Sequence, residues 1–339
     1  MMLCTVSYTG IEAFGVLYQT IVGSPRSDTM NEEANRNFYN VFIEFYKFCV
    51  TVFMLRSTFH SHSRFDDGEY ELEDYVLSAL KKNFKALGFS AHAPVVFAST
   101  WNMNPGLLDE YLFQTRTLKK KYSDKIELYT GLETDYYKGC ADWRNFDGID
   151  YTIGAIHFTQ NPETGKYLAF DGNRHEFEEN LEENYNGDIK ALVEGYYGLV
   201  REMLLKMPPN IVAHLDVIRK NNANGRYFDE DDEWYREEVL KTLDVISLTH
   251  AVIEINTGGI SRGYMSEPYP SRWILENCLA LDIPVMVNSD AHHPETIDCY
   301  FDEAYQLLRN IGFTSQRILY HGEWRDVGLG EKTTGRQVE

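Results

Sequence analysis

The sequence predicts an α/β barrel, in which parallel strands alternate with helices. From residue 55 onward, short apolar runs alternate with longer segments whose apolar residues recur at helical spacing. Eight strand-like runs are present, and seven or eight strand–helix units are enough to close a barrel. Six of the runs also end at or just before His, Glu or Asp, and barrels place their functional residues at the carboxyl ends of the strands.

The eight predicted strands are short runs rich in apolar residues, bounded by polar or turn-forming ones. They cover 55–59, 86–90, 126–130, 151–156, 210–213, 252–255, 284–287 and 317–320. Because helical patterns lie between them, we expect parallel pairing through right-handed strand–helix units.

The predicted helices have apolar residues three and four positions apart, so that one face of each is apolar. They cover 71–84, 107–121, 189–204, 230–248, 271–281 and 301–310. Asp188 is the expected N-cap of the third helix, and Gly312 is the expected stop of the last.

Residues 1–53 differ from the rest of the chain. They are rich in Tyr, Phe and Asn, show no sustained period and contain a turn-like stretch at 23–25. We interpret them as an extension without an assigned role, which is either an upstream start that was mistakenly translated or an N-terminal helix packed on the domain. The barrel is then expected to span 54–330, followed by a tail at 331–339.

Composition and charge exclude several classes of protein. The 339 residues are 43% hydrophobic and 25% charged, as in ordinary soluble globular proteins, and no apolar run approaches the ~18 residues of a membrane span. Fifty-two acidic against 32 basic residues give a net charge of −20, which disfavours nucleic-acid binding. An anionic small molecule still fits if cations are concentrated locally. Five scattered cysteines without a CxxC pair indicate reduced thiols and a cytoplasmic protein.

Six strand ends carry side chains of the kind that bind metal ions: His60 and His62; His92; Glu133; His157; His214 and Asp216; and Asp290 and His292. Side chains two positions apart on a strand point the same way, so His60 and His62 can hold one ion. Imidazole with carboxylate suits Zn, Mn or Fe. A carboxylate such as Glu133 can bridge two ions, and so many ligands predict two or three. Any one of these histidines alone also fits a hydrogen-bonded structural role. Of the remaining histidines, His175, His250 and His321 fit surface or loop positions, and His293 is ambiguous.

The motifs themselves suggest a family. The series His60-Ser-His62, Phe89-Ser-Ala-His92-Ala-Pro94, Gly131-Leu-Glu133, Ile156-His157, His214-Leu-Asp216 and Ser289-Asp-Ala-His292 resembles the PHP (polymerase and histidinol phosphatase) superfamily over about residues 55–325. Glu254-Ile-Asn-Thr257 and Glu267-Pro-Tyr-Pro-Ser271 are similar to the histidinol-phosphate phosphatase branch. The chain departs from the family at Ala91, where relatives usually have an acidic residue. That change is expected to alter hydrogen bonding around a metal-bound histidine without removing a ligand.

The resemblance implies a distorted TIM-like (β/α)7 barrel with three metal ions at the carboxyl ends of its strands. It assigns His60, His62, Glu133 and Asp290 to the first ion. It assigns Glu133, His157 and His214 to the second. The third ion would be held by His92, His292 and a loop aspartate, for which Asp67 is the better match and Asp66 a close rival.

The resemblance also implies a metal-dependent phosphatase that acts on L-histidinol phosphate in histidine biosynthesis. We expect Glu133 and Asp290 to act in catalysis and Asp216 or His293 to protonate the leaving group. Arg262 is expected to bind phosphate, although it would also fit an ion pair with Glu267, and the neighbouring Arg219 and Lys220 are weaker candidates. The alternatives are a PHP phosphoesterase for another small phosphate or a nucleotide, and a non-catalytic metal-stabilised binding module.

Overall fold

Seven parallel strands form the central sheet of the protein. The computed structural model describes residues 55–330, and the account below is restricted to them. The strands are β1 (Ser57–Thr58), β2 (Ala86–Phe89), β3 (Glu127–Asp135), β4 (Tyr151–Ala155), β5 (Phe158–Gln160), β6 (Tyr167–Ala169), β7 (Ile211–Val212), β8 (Val252–Asn256), β9 (Val285–Asn288), β10 (Ser315–Tyr320) and β11 (Glu323–Gly328).

The central sheet curls into a nearly closed barrel. Its strand order is β1-β2-β3-β4-β7-β8-β9, with every pairing parallel. The first and last strands meet through a bridge between Ser61 and Ala291, where the His62 amide donates to the Ala291 carbonyl at 2.9 Å. The predicted TIM-like (β/α)7 barrel is therefore confirmed.

The helices of the described region are α1 (Leu72–Lys81), α2 (Leu108–Lys121), α3 (Arg174–Tyr185), α4 (Ile189–Lys206), α5 (Glu233–Ser247), α6 (Gly258–Ser261), α7 (Arg272–Ala280) and α8 (Phe301–Ile311). All six predicted helices are present, with ends that shift by up to three residues. Asp188 caps α4 by accepting a hydrogen bond from the Ala191 amide. Helices α3 and α6 were not predicted.

Strand β3 is longer than the sequence pattern predicted, because it pairs with two neighbours in succession. Residues 127–130 pair with β2, and residues 131–135 pair with β4. Glu133 was expected just beyond the strand and lies within it instead. The barrel therefore holds this carboxylate on a paired backbone.

The eighth predicted strand, at 317–320, does not join the barrel. It is part of β10, which forms an antiparallel hairpin with β11. The two linking residues, His321 and Gly322, have φ of 56° and 72°, as a mirror-image hairpin turn requires. A second antiparallel hairpin, β5 with β6, was also not predicted.

Tyr151 fills the barrel interior. Its fully buried hydroxyl lies 2.6 Å from the Phe59 carbonyl and 3.0 Å from the Phe89 carbonyl. Two glycines make room for this side chain, since a Cβ at Gly88 would come 2.2 Å from the hydroxyl oxygen and a Cβ at Gly131 would come 2.3 Å from the ring. The barrel is thus packed below its carboxyl end, and the polar side chains gather above that packing.

The predicted extension at 1–53 and tail at 331–339 lie outside the described residues. Within 55–330, no helix combines the length and apolar character that crossing a membrane requires.

Candidate metal centre

Glu133 lies at the centre of a group of histidines at the carboxyl end of the barrel. Its side chain is only 1% exposed. Its Oε2 atom lies 3.1 Å from both His60 Nε2 and His92 Nδ1. His62 Nε2 is 3.5 Å from the same oxygen. Side chains from β3 and from the ends of β1 and β2 therefore converge on one carboxylate oxygen.

The other oxygen of Glu133 faces a second set of histidines. Its Oε1 atom lies 3.1 Å from His214 Nε2 and 3.5 Å from His157 Nε2. These two rings follow β7 and β4 and lie 3.4 Å apart at their Nε2 atoms. The two oxygens of Glu133 thus face two different groups of imidazoles. This is the arrangement that a carboxylate needs to bridge two metal ions.

Asp290, which follows β9, completes the first group. Its Oδ1 atom lies 3.1 Å from His62 Nε2 and 3.7 Å from His60 Nε2. Its Oδ2 atom accepts a hydrogen bond from the Arg262 guanidinium at 2.7 Å. One oxygen of Asp290 therefore faces the histidines, and the other is held by a cation.

The two aspartates of the loop after His62 have different surroundings. Asp67 Oδ2 lies 3.1 Å from His292 Nε2, and Asp67 Oδ1 lies 4.0 Å from His92 Nε2. Asp66 Oδ2 lies 2.6 Å from His62 Nδ1 and accepts from the His92 amide at 2.9 Å. Its Oδ1 accepts from the Ser63 amide at 2.8 Å. Both oxygens of Asp66 are already used, so the geometry favours Asp67 as the ligand.

Three carboxylates contact the Nδ1 atoms of histidines whose Nε2 atoms face the centre of the cluster. Glu254 lies 2.6 Å from His60 Nδ1, and Asp135 lies 2.8 Å from His157 Nδ1. Asp66 does the same for His62. Carboxylates that hold the far ring nitrogen fix the orientation and tautomer of metal-binding histidines. The roles of Glu254 and Asp135 were not predicted, although Asp135 is two residues from Glu133 on the same strand and so shares its side.

Several buried atoms of this cluster have no hydrogen-bond partner among residues 55–330. They are His60 Nε2, His62 Nε2, His92 Nδ1, His214 Nδ1 and Glu133 Oε2. The 3.1 Å contacts of Glu133 Oε2 with His60 and His92 do not have the alignment of a hydrogen bond. Buried polar atoms are normally paired, so five orphaned atoms in one cluster call for an explanation. Nitrogen and carboxylate oxygen are ligands that divalent transition metals accept. Sets of ligand atoms within 4.8 Å of one another support this: His60, His62 and Asp290; His92, Glu133 and His157; and His62, Asp66, Asp67 and His92. The residues present therefore fit metal ions.

The charges of the cluster shift its pKa values in opposite directions. Burial acts to raise the pKa of Glu133, but His60, His92 and His157 reverse this and hold the pKa well below its usual value. Burial acts to lower the pKa of His60, and Glu254 and Glu133 raise it well above the usual value. Burial lowers the pKa of His92, whereas the carboxylates beside His60 favour protons on that ring when no metal ion is bound. Divalent cations must compete with those protons, so ion binding weakens in acid.

A cavity of about 430 Å³ opens beside the cluster. Its wall carries both signs of charge and several aromatic rings. Besides cluster residues, it includes Lys220, Arg262, Asp171, Glu176, Trp101, Tyr264 and Tyr269. Such a cavity suits a small molecule with a negative end and a positive end.

Two of the three predicted phosphate-binding cations, Arg262 and Lys220, line this cavity, and Arg219 does not. Arg262 donates to the Asp290 carbonyl at 2.7 Å as well as to its carboxylate. The alternative pairing of Arg262 with Glu267 does not occur, because Glu267 contacts Arg219 at 2.6 Å. Lys220 Nζ donates to the Asp171 carbonyl at 2.5 Å and lies 4.7 Å from the centre of the Tyr264 ring.

The two predicted proton donors do not line the cavity. Asp216 is fully buried, 2.8 Å from the Arg219 guanidinium, and accepts from the Ser271 amide at 2.9 Å. Burial raises its pKa, although Arg219 opposes the shift. His293 is exposed and accepts a hydrogen bond from the Glu295 amide at 3.1 Å. Among residues 55–330, the cavity wall thus shows neither side chain.

The contacts of the loop aspartates predict different outcomes for two matched variants. Asp67→Asn is expected to lower the number of bound ions by one at limiting metal, because it weakens a ligand. Asp66→Asn is expected to keep the number of ions and weaken their affinity roughly 10–100-fold, because it disturbs the orientation of His62 and the contacts to the Ser63 and His92 amides without removing a ligand. Elemental analysis and metal titration measure both quantities. The reverse pattern would make Asp66 the ligand.

The fold and the cluster define a class: TIM-like barrels with a cluster of histidines and carboxylates at the carboxyl ends of the strands. A family model for the PHP domain matches residues 58–258, which is more than half of the chain. The chain belongs to the PHP domain family.

Named relatives agree with this family. The chain is 28% identical over 238 residues to the histidinol-phosphatase of Bacillus subtilis, a match that covers 65% of this chain and 87% of the relative. It is 26% identical over 251 residues to a Deinococcus radiodurans protein named probable histidinol-phosphatase, covering 70% and 86%. The fold is similar to that of Lactococcus lactis histidinol phosphate phosphatase, solved with zinc, L-histidinol and phosphate. The TM-score is 0.58 at 18% identity, covering 80% of this chain and 98% of that one.

Proposed function

We propose that this protein is a histidinol-phosphatase, which hydrolyses L-histidinol phosphate to L-histidinol and phosphate in histidine biosynthesis. The observation that carries the proposal is the position of Glu133, whose two oxygens face two groups of histidines beside a cavity of mixed charge. The named relatives support the choice of substrate. The free cysteines Cys140, Cys278 and Cys299 suit the cytoplasm, where we place the enzyme.

We further propose that two to three divalent ions bind at the cluster. His60, His62, Asp290 and Glu133 would hold the first, and Glu133, His157 and His214 the second. His92, His292 and Asp67 would hold the third. Zinc, present in the Lactococcus lactis structure, suits these ligands, as do manganese and iron. When bound, such ions neutralise a phosphate dianion and lower the pKa of bound water toward 7.

Two cations of the cavity wall, Arg262 and Lys220, would bind the phosphate group of the substrate. Arg262 is fixed by two hydrogen bonds to Asp290, and its guanidinium has further N–H groups with which to bind phosphate oxygens. Lys220 adds a second positive charge in the same wall. The proposed phosphate end therefore lies beside these cations and the histidine cluster.

The remaining part of histidinol carries an ammonium group and an imidazole. Asp171 and Glu176 line the cavity and supply negative charge for the ammonium. Trp101, stacked on Phe158 with ring centres 4.8 Å apart, offers a rigid aromatic face for the imidazole. Contacts of these side chains with the ammonium group and the imidazole would favour histidinol phosphate over a phosphate ester that lacks both groups.

A comparison of three substrates tests the proposal. Phosphate release would be measured from L-histidinol phosphate, p-nitrophenyl phosphate and a nucleoside monophosphate, with zinc or manganese added. We expect the highest kcat/KM for histidinol phosphate. A preference for either other substrate would indicate a PHP phosphoesterase of different specificity. Absence of turnover with full metal content would favour a binding module instead.

A further inference from the structure

Tyr269 lies in the cavity wall with a hydroxyl group that no residue of the described chain satisfies. Its side chain is 3% exposed, and Tyr269 Oη has no hydrogen-bond partner within 55–330. Leaving a buried hydroxyl unpaired costs free energy. The Tyr269 hydroxyl is therefore a candidate hydrogen-bond donor to a ligand in the cavity.

The backbone of Tyr269 is held at the end of β8. Its amide donates to the Asn256 carbonyl at 3.0 Å, and its carbonyl accepts from the Asn256 amide at 2.7 Å. Asn256 also donates to Asp290 at 3.2 Å through its side chain. The tyrosine is thus tied to the same strand end that supports the histidine cluster.

The ring of Tyr269 fits against a glycine. A Cβ at Gly259 would come 2.6 Å from Cε2 of the ring, so a larger residue there would displace it. Arg262 follows directly on the short helix α6 that carries Gly259. On another side, the ring of His214 packs edge-on with ring centres 6.5 Å apart. The ring of Tyr269 therefore lies between helix α6, which Arg262 follows, and His214 of the cluster.

Ion pairs of the buried Arg219 fix the loop that carries Tyr269. Arg219 lies 2.6 Å from Glu267, two residues before the tyrosine, and 2.8 Å from Asp216. Asp216 in turn accepts from the amide of Ser271, two residues after the tyrosine. Both ends of the Glu267–Ser271 motif are therefore anchored. This anchoring explains what Asp216 does in the fold.

We propose that the Tyr269 hydroxyl donates a hydrogen bond to an oxygen of the substrate phosphoryl group. The inference rests on the proposed function only in requiring that a phosphate monoester binds in this cavity. A phenol is uncharged and protonated at neutral pH, so it can donate to a phosphate dianion without repelling it. No residue of the motif other than Tyr269 lines the cavity, so the inference gives the motif a function.

Tyr269→Phe tests the proposal, because it removes the hydroxyl and keeps the ring. In the metal-loaded enzyme we expect kcat/KM to fall roughly 10–100-fold for both histidinol phosphate and p-nitrophenyl phosphate, as for loss of a hydrogen bond to a charged group. Competitive inhibition by inorganic phosphate should weaken over the same range. Metal content should stay at the wild-type value. Tyr75→Phe is the matched control, since Tyr75 has the other buried tyrosine hydroxyl without a partner in residues 55–330 and does not line the cavity.

Three results would overturn the proposal. Wild-type inhibition by phosphate and wild-type kcat/KM in Tyr269→Phe would exclude the hydrogen bond. A loss confined to histidinol phosphate would place the hydroxyl against the amino alcohol instead. Loss of metal would show a purely structural role. If wild-type enzyme prefers p-nitrophenyl phosphate, the choice of histidinol phosphate fails while the tyrosine is still tested by phosphate inhibition.

A second variant keeps the test informative if Tyr269→Phe does not fold. Gly259→Ala should displace the ring and weaken phosphate inhibition while the hydroxyl is retained. If both single variants fold, the two effects should not add in the double variant, because both remove the same contact. Full additivity, or unchanged inhibition in Gly259→Ala, would contradict the proposed position of the ring.

Discussion

Glu133→Gln is expected to lower kcat/KM by roughly 10³-fold or more and to reduce the number of bound ions. Residues that hydrogen-bond to metal ligands typically contribute 10–100-fold to metal affinity or activity, and a bridging ligand should contribute more. The variant removes the negative charge that His60, His92, His157 and His214 all face. Two neighbouring cations would then repel each other with less compensation. Loss of one terminal histidine leaves a vacancy that water can fill, so its effect should be smaller.

The measurements are elemental analysis after reconstitution, steady-state kinetics and circular dichroism. The fold should persist, because the packing around Tyr151 does not involve Glu133. Glu127→Gln is the matched control: Glu127 begins the same strand and contacts Tyr129 and His321 instead of the cluster. Near-wild-type turnover with two or more ions in Glu133→Gln would refute the bridging role and the ligand assignment built on it.

The barrel was predictable because its strands carry a strong local signal. Short apolar runs between amphipathic segments define parallel strand–helix units, and each of the seven barrel strands overlaps a predicted run. The run at 317–320 has the same composition, so composition alone assigned it to the barrel. The His321-Gly322 pair after it was the better signal, since a two-residue turn with positive φ makes a hairpin.

The region over the cavity was missed for a different reason. Helix α3 is highly charged and buries only Phe177, Asn180 and Leu181, so it shows little apolar periodicity. Its recognisable signal was the capping box, in which Asn173 and Glu176 pair reciprocally with each other's amides. Strands β5 and β6 are three residues each, too short for a pattern. This segment supplies Asp171 and Glu176, so the wall for the amine end was not predicted.

The sequence predicted which residues belong to the cluster. It did not predict which carboxylates face the proposed ions and which ones orient the histidines. Strand ends of a barrel meet at one face, so sequence position was enough to bring eight of the nine predicted ligands together, and Asp67 was added by the family resemblance. Which carboxylate binds and which one orients depends on side-chain contacts across the barrel. Asp66 and Asp67 are adjacent, yet one is taken up by His62 and two amides, and the other faces His292. Sequence spacing does not contain that distinction.

Glu254→Gln is expected to damage stability and metal binding together. Glu254 is fully buried and accepts four hydrogen bonds. Oε1 lies 2.6 Å from His60 Nδ1 and 3.0 Å from Asn288 Nδ2. Oε2 accepts from the His214 amide at 3.0 Å and from Asn256 Nδ2 at 2.9 Å. Burial acts to raise the pKa of Glu254, but the neighbouring His60 overcomes this effect and lowers the pKa, so the carboxylate is charged at neutral pH.

A glutamine must place its NH2 group against one of these two pairs of donors. Toward His214 and Asn256, it leaves buried donors unpaired, which costs about 1–3 kcal/mol each. Toward His60, it can donate to Nδ1 only if the ring carries its proton on Nε2, and Nε2 is the atom that faces Glu133 and Asp290. That tautomer cannot bind a metal ion through Nε2. Either orientation therefore lowers stability or removes a ligand.

We expect the free energy of unfolding of the metal-free protein to fall by about 2–3 kcal/mol in Glu254→Gln, and metal affinity to fall roughly 10–100-fold. Urea unfolding and metal titration measure the two effects separately. Glu238→Gln is the matched control, because Glu238 on α5 is also buried but pairs with Arg201 at 2.8 Å and does not touch the cluster. It should lose stability and keep its metal affinity. Equal metal affinity in both variants would show that Glu254 supports the barrel without orienting His60.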